Sequence, residues 1–320
     1  MIMQINDKEA MWVEKWRPQT VEDCILPNRI KDFFQQCVKE DKLEQNLMLF
    51  GSPGTGKTTT ALALCKQLDY HVKFINASEN GNIETLRVLV RKFASRYSLN
   101  GKPKVIIFDE ADNFNGIHTQ PALRGFLEEF SQNCRFIFTA NNPNGIIDAL
   151  KSRCTIFHYN LIEEEKNKCK IAFAHRLIDI LDYEKITYEK KDLIDLININ
   201  YPDNRRILNE LQRCCKTGKL IVTGIMTAEA TIIEELYEYL KVKNYTKIHK
   251  WVTQNNDLEF HILLKALHKY LITKVDDEMV PILILLLNKM DRGNAVCMDK
   301  ELNICAGLAD IMLNITWDKK

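Results

Sequence analysis

The sequence has no apolar run that could cross a bilayer: its longest, "MVPILILLL" from Met279 to Leu287, falls far short of the ~20 residues such a span requires. A buried helix is expected there instead. The opening "MIMQINDKEAMWVEKW" has no basic start followed by an apolar core, so no secretory leader is expected and the cytoplasm is the expected compartment. Ten cysteines are present, but no C-x-x-C spacing occurs and the one adjacent pair is Cys214 and Cys215. Neither a zinc site nor a disulfide framework is indicated, and reduced thiols are expected. Proline (8) and glycine (12) are few, and with 46% hydrophobic and 27% charged residues the composition excludes a collagenous or disordered chain. Charge of one sign is also lacking. The formal net charge is +1, so any contact with nucleic acid must come from a local patch.

What is present divides into three textures. A chain of 320 residues suggests two or three domains at roughly 100–200 residues each. From about Asn46 to Tyr159, short apolar runs ("NLMLF", "HVKFIN", "KVIIFDE", "CRFIFTAN", "CTIFHY") alternate with helical stretches such as Lys57–Leu68 and Glu84–Tyr97. Continuous apolar strands between helices predict an α/β fold with a parallel sheet covered on both faces. From about Leu161 to Thr227 the text is charged and helical, broken at "NINYPDNRR". From about Ala228 onward, Ile233, Leu236 and Leu240, then Leu263, Leu267 and Leu271, recur at helical spacing. The predicted domains are therefore 1–160, 161–227 and 228–320.

The stretch "GSPGTGKTTT" matches G-x-x-x-x-G-K-[ST], with Gly51, Gly56, Lys57 and Thr58 in register between an apolar strand and a helix. Glycines let backbone N–H groups converge on phosphates, and the helix N-terminus adds positive potential. Lys57 reaches the outer phosphates and the Thr58 hydroxyl ligates Mg²⁺. "KVIIFDEADNF" ends a strand with Asp109 and Glu110, where open α/β sheets place their ligands. Asp109 would hold the metal shell and Glu110 would activate water; a mere helix cap is the structural alternative. "RFIFTANN" carries Asn141 just past its apolar run, where it could orient the attacking water or serve only as a turn residue before Pro143. Arg153 in "LKSRC", and Arg205 and Arg206 in "YPDNRRILNELQR", read alone as either catalytic cations or surface charge.

Taken in order, "WVEKWRP", "GSPGTGKTTT", "IIFDEAD", "FTANN", "SRC" and "PDNRRILNELQ" resemble the clamp-loader ATPase subunits of the AAA+ superfamily, in the replication factor C branch. The resemblance runs from about Trp12 to Gln212. Within that branch the chain is similar to the ATPase subunits of T4-type bacteriophage loaders, to which its short "NNPNGIIDALKSRC" segment, its length and the lack of a zinc insert correspond. The resemblance implies an AAA+ sheet domain, a helical lid and a helical collar for oligomerisation. It implies that Val13, Glu14, Lys15, Trp16 and Ile25 lie against adenine and ribose, and that Gly54, Thr55, Gly56, Lys57, Thr58 and Thr59 wrap the phosphates. It implies that Asn141 is sensor 1, Arg205 is sensor 2, and Arg153 is an arginine finger inserted into a neighbour's site, worth ~10³–10⁵ in rate. The implied activity is DNA-stimulated ATP hydrolysis that opens a sliding clamp and places it on primer–template DNA. The implied partners are that clamp, the DNA, identical copies and a non-identical loader subunit in a ring, with no membrane, in the cytoplasm of an infected host if phage-encoded. Two departures stand out: Trp16 replaces the more usual Tyr, and Pro121 follows Gln120 where the family continues a helix without proline.

Between Arg87 and Lys104 there are six basic residues (Arg87, Arg91, Lys92, Arg96, Lys102, Lys104) and no acidic one. On a helix over 84–97, Leu86, Leu89, Phe93 and Tyr97 would face the core, leaving Arg87 and Arg91 one turn apart for a phosphate backbone. An exposed basic face without a partner is the alternative. "DEAD" at 109–112 could instead mark an RNA helicase, but no second sheet domain follows. Another AAA+ motor, or a nucleotide-binding scaffold without hydrolysis, are the remaining alternatives.

Overall fold

The computed structural model describes residues 11–79, 83–96, 101–221, 226–255, 260–297 and 299–317. Contacts divide the chain into two compact units, Met1–Ile221 and Val222–Lys320.

The first unit is built on a five-stranded sheet of order β2-β3-β4-β1-β5. Its strands are β1 (Leu47–Phe50), β2 (Val72–Asn76), β3 (Lys104–Asp109), β4 (Cys134–Ala140) and β5 (Thr155–His158), all paired in parallel. The runs that read as continuously apolar, β1, β3 and β4, occupy the centre, and their residues are buried almost throughout. The edge strands β2 and β5 are half-exposed. Because side chains alternate across a strand, the sheet feeds two cores. Met48, Phe50, Ile106, Phe108, Phe136 and Phe138 face one side with Leu86, Val90, Leu123 and Phe126. Leu47, Leu49, Val105, Ile107 and Ile137 face the other with Ile30, Phe34, Ala61 and Leu64.

The helices of this layer are α1 (Trp12–Lys15), α2 (Asn28–Lys39), α3 (Lys57–Gln67), α4 (Ile83–Ala94), α5 (Thr119–Glu129) and α6 (Asp148–Lys151). The expected 84–97 helix thus ends at Ala94, and Tyr97 lies outside the described residues. Its buried stripe is Leu86, Val90 and Ala94, with Leu89 and Phe93 only partly buried. The apolar face is rotated toward the i, i+4 row because the sheet accepts the small Ala94 there. Helices α7 (Glu163–Tyr183), α8 (Lys190–Asn200) and α9 (Asn204–Cys214) complete this unit, with the expected break falling between Asn200 and Asn204.

The second unit consists of α10 (Met226–Lys241), α11 (Tyr245–Gln254), α12 (Phe260–Leu271), α13 (Val280–Val296) and α14 (Lys300–Asn314). Ile233, Leu236, Leu240, Leu263, Leu267 and Leu271 are all in its core. The run 279–287 is helical but not buried all round. Leu283 and Leu287 are buried, while Ile282, Ile284 and Leu285 are exposed, the last at 67%. Among the described residues no helix is long and apolar enough to cross a membrane.

Candidate active site

The loop after β1 turns on two left-handed glycines, Gly54 (φ 74°) and Gly56 (φ 91°), a region that glycine enters without strain. Gly54 is also crowded: a Cβ there would lie 1.8 Å from Asp203 Oδ1. Helix α3 starts immediately after Gly56, which aims its free N–H groups at the loop. Lys57 is buried, and its Nζ donates to the carbonyls of Gly51 (2.7 Å) and Ser52 (2.9 Å) and to Asn141 Oδ1 (3.0 Å). Burial pushes its ammonium down to about 8, against the opposing pull of Asp109.

Strand order brings the remaining groups together. β4 lies between β1 and β3, so the ends of all three strands converge. Asp109 Oδ1 accepts from Thr58 Oγ1 (2.6 Å) and Thr139 Oγ1 (2.5 Å). Glu110 sits at φ 55°, and its Oε2 accepts from Ser78 Oγ at 2.6 Å and from Asn113 Nδ2 at 3.4 Å. Asn141 is held from behind by Asp112, whose Oδ2 accepts the backbone N–H groups of Asn141 and Asn142. Gln120 is fully buried in the first turn of α5, where Pro121 is tolerated. It donates to the carbonyls of Phe114 and Gly145 and accepts from the N–H of Ile147.

A cavity of about 380 Å³ joins these groups to an apolar wall. Val13, Trp16, Ile25, Gly54, Thr55, Gly56, Lys57, Thr58, Thr59, Asp109, Glu110, Asn141 and Arg205 all line it. Glu14 and Lys15 do not. Val13 on α1 and Trp16, the residue that caps it, lie three apart on the cavity side, while Glu14 pairs with Arg17 (2.7 Å) and Lys15 with Glu184 (2.8 Å). The cavity's far wall comes from α7 and α9. Arg176 donates to the carbonyls of Trp16 and Asp23, and the backbone N–H of Asn204 donates to Gly54 O at 3.1 Å. Two buried polar atoms of lining residues, Trp16 Nε1 and Asn204 Oδ1, have no hydrogen-bond partner. The chemistry of this cavity, cationic and N–H-rich at one end and apolar at the other, suits a nucleotide.

Known proteins resemble this chain over most of its length. The family described as "ATPase family associated with various cellular activities (AAA)" matches residues 47–160, and the "Rad17 P-loop domain" matches residues 4–87. The sliding-clamp-loader large subunit of Escherichia phage RB69 is 36% identical over 251 residues, 77% of this chain and 78% of that protein. The corresponding subunit of Enterobacteria phage T4 is 34% identical over the same coverage. The chain is an AAA ATPase of the clamp-loader family. Human replication factor C subunit 5 is also similar, 32% identical over 81% of this chain and 78% of that one. A mutant of Thermotoga maritima RuvB shares the fold at TM-score 0.53 and 15% identity, covering 69% of this chain and 80% of that one. ATP hydrolysis, and with it nucleotide binding, belongs to the family.

In this AAA ATPase, Arg153 lies outside its own cavity. Its Nε donates to Glu128 Oε1 (2.7 Å), its Nη2 lies 2.6 Å from the same oxygen as an ion pair, and its Nη1 donates to the Ala149 carbonyl (2.7 Å). The guanidinium holds the Glu128 carboxyl below the usual range. The basic stripe on α4 is shorter than its sequence. Lys104 is buried under the Phe93 ring with its Nζ on the Phe93 carbonyl, and Lys102 pairs with Asp41 at 2.8 Å. Arg87 and Arg91 are on the exposed face, but each has an acidic neighbour: Glu84 at 2.9 Å and Glu129 at 3.6 Å.

Ser78, Thr139, Arg176 and the pair Asp203–Asn204 were not singled out from the sequence. Ser78 meets Glu110 only because β2 pairs with β3, a neighbour relation that no local motif announces. Thr139, by contrast, stood two residues before Asn141 at a strand end and was readable there.

Proposed function

We propose that this chain is the ATP-hydrolysing subunit of a sliding-clamp loader, which opens a clamp and places it on primer–template DNA during replication. The observation that carries the reading is the division of labour around the cavity. Lys57, Thr58, Asp109, Glu110, Asn141 and Arg205 converge on it, while Arg153 lies elsewhere on the surface, as suits a finger for a neighbouring copy. The relatives named as sliding-clamp-loader large subunits and replication factor C subunits supply the function class.

In this reading, adenine lies against Val13, Trp16 and Ile25, and Gly54 through Thr59 wraps the phosphates. Lys57 gives up the loop carbonyls for the outer phosphates. Glu110 takes the proton of the water whose oxygen attacks the γ-phosphorus, as the bond from that phosphorus to the ADP oxygen breaks. Asn141 orients the water, and Arg205, at the first turn of α9, meets the γ-phosphate. Thr58 and Asp109 form an all-oxygen donor pair of one hydroxyl and one carboxylate, which fits Mg²⁺, an ion that takes its other ligands from water and phosphate. When bound, Mg²⁺ would neutralise charge on the phosphates.

We assign the segments to three roles: residues 1–160 to nucleotide binding, 161–227 to a lid, and 228–320 to a collar that joins copies into a ring with a non-identical subunit. The exposed apolar side chains of α13, Ile282, Ile284 and Leu285, support the collar assignment. ATP turnover measured with the full chain and its loader partner, with and without a phage sliding clamp and primed DNA, tests the function. Stimulation by both together is expected. Turnover indifferent to clamp and DNA would remove the clamp-loader assignment and leave an ATPase of other purpose.

A further inference from the structure

Arg153 is not a loose side chain. Its backbone N–H donates to Leu150 O and its carbonyl accepts from Asn46 Nδ2, so the residue's base is fixed at the entry to β5. Its guanidinium is then steered by one group of another element: Glu128, in the last turn of α5, accepts the Nε–H on the same oxygen that lies 2.6 Å from Nη2 as an ion pair. With Nη1 on Ala149 O and Ser152 Oγ, the fork that would engage a phosphate is turned inward onto a carboxylate. A carboxylate and a phosphate use the same fork geometry, so one guanidinium edge cannot serve both.

We infer that Glu128 is a positioning residue that holds Arg153 in a withdrawn pose, and that a neighbouring copy's bound triphosphate must displace Glu128 before the arginine completes that neighbour's site. This rests on the reading that Arg153 acts in trans. The hold is soft by design of its surroundings. Arg153 and Glu128 are 32% and 52% exposed, and Arg124 stands 3.6 Å from the same oxygen as a second cation that shares its charge. A triphosphate, carrying more charge than a carboxylate, can therefore win the exchange, whereas a site without one leaves the finger withdrawn. The clasp makes insertion of the finger depend on the nucleotide state next door.

The test uses two full-length chains that divide the labour. An acceptor carrying Arg153→Ala keeps its own nucleotide site but offers no finger. A donor carrying Lys57→Ala offers Arg153 but does not bind nucleotide. ATP hydrolysis by their mixture then reports donor fingers in acceptor sites. Adding Glu128→Gln to the donor should raise that rate by up to about fivefold, the span of an exposed ion pair. Glu128→Asp, with the charge on a shorter arm, should fall between. Adding Glu128→Gln to the acceptor, which has no finger to hold, should change nothing, and a merely structural role would affect both chains alike. A donor-side Glu128→Gln that leaves the rate unchanged or lowers it overturns the inference while the trans reading stands. A mixture no faster than acceptor alone, even with unmodified Glu128, overturns the trans reading and the inference with it.

Discussion

The backbone N–H of Asn204 donates to the carbonyl of Gly54 at 3.1 Å, and the side chain of Asp203 lies against the same glycine. Helix α9 therefore begins on the phosphate loop itself. Asp203 also caps that helix by accepting the N–H of Arg206 at 2.9 Å. This contact sets Arg205 at the cavity's edge: a shift of the glycine would move the arginine with it.

Gly54→Ala should consequently damage two things at once. A side chain at φ 74° is strained, at a cost of about 1–3 kcal/mol, and its Cβ would collide with Asp203. Lower thermal stability and loss of ATP binding are expected together. Asp203→Ala, which removes only the cap and the contact, should cost about 1 kcal/mol and weaken ATP binding less. Thermal unfolding and equilibrium nucleotide binding on the two variants check the order. Gly54→Ala binding ATP like the parent would show that the contact is incidental.

The cation and the carboxylate in the cavity should separate binding from turnover. Lys57→Ala removes the buried cation assigned to the phosphates and should abolish measurable ATP affinity. Glu110→Gln keeps the shape and the hydrogen bond from Ser78 but cannot take a proton. ATP binding should persist while turnover falls by roughly 10²–10⁴, the usual range for a lost general base. Turnover of Glu110→Gln close to the parent's would withdraw the base assignment.

The contrast between those two residues also explains what the sequence disclosed. Lys57 opens the helix after β1 and Glu110 follows β3 directly, both tied to short, strongly patterned strands, so the motifs are legible residue by residue. The family resemblance implies Glu14 and Lys15 against adenine and ribose together with Val13 and Trp16, yet of these four only Val13 and Trp16 line the cavity. The one-turn helix turns Val13 to the cavity and leaves Glu14 and Lys15 paired with Arg17 and Glu184. The basic run from Arg87 to Lys104 is likewise divided by the fold, with Arg87 and Arg91 exposed on α4 and Lys104 buried. Neighbours in sequence part company in space, because Lys104 belongs to a central strand and is buried. Acidic partners such as Glu129 arrive from a different helix.

The thiols offer a check on the cores. Burial pushes Cys65, Cys134, Cys154 and Cys215 up to about 12, and seven of the ten cysteines are buried outright. In native buffer near neutral pH, a thiol reagent should therefore label at most Cys154, Cys214 and Cys297, with Cys154 slow. Unfolding in denaturant should release all ten. Rapid native labelling of Cys65 or Cys134, located by peptide mass, would contradict the packing around β3 and β4.

The surface of α4 carries the prediction about DNA. Phosphate contacts bring little sequence preference but strong salt dependence, with log K changing by about 0.9 per log salt for each duplex phosphate neutralised. Arg87→Ala with Arg91→Ala should weaken binding of primed DNA equally across sequences and flatten the salt slope by up to about two contacts. ATP binding without DNA should survive, since Leu86, Val90 and Ala94 still hold the helix to the sheet. The acidic neighbours supply a second arm. Glu84 and Glu129 compete with phosphate for these guanidiniums, so Glu84→Gln with Glu129→Gln should tighten DNA binding, most at low salt where exposed charges are least screened. A salt slope unchanged in the arginine double variant, together with no gain in the glutamine one, would leave α4 as a solvated helix whose charges answer only one another.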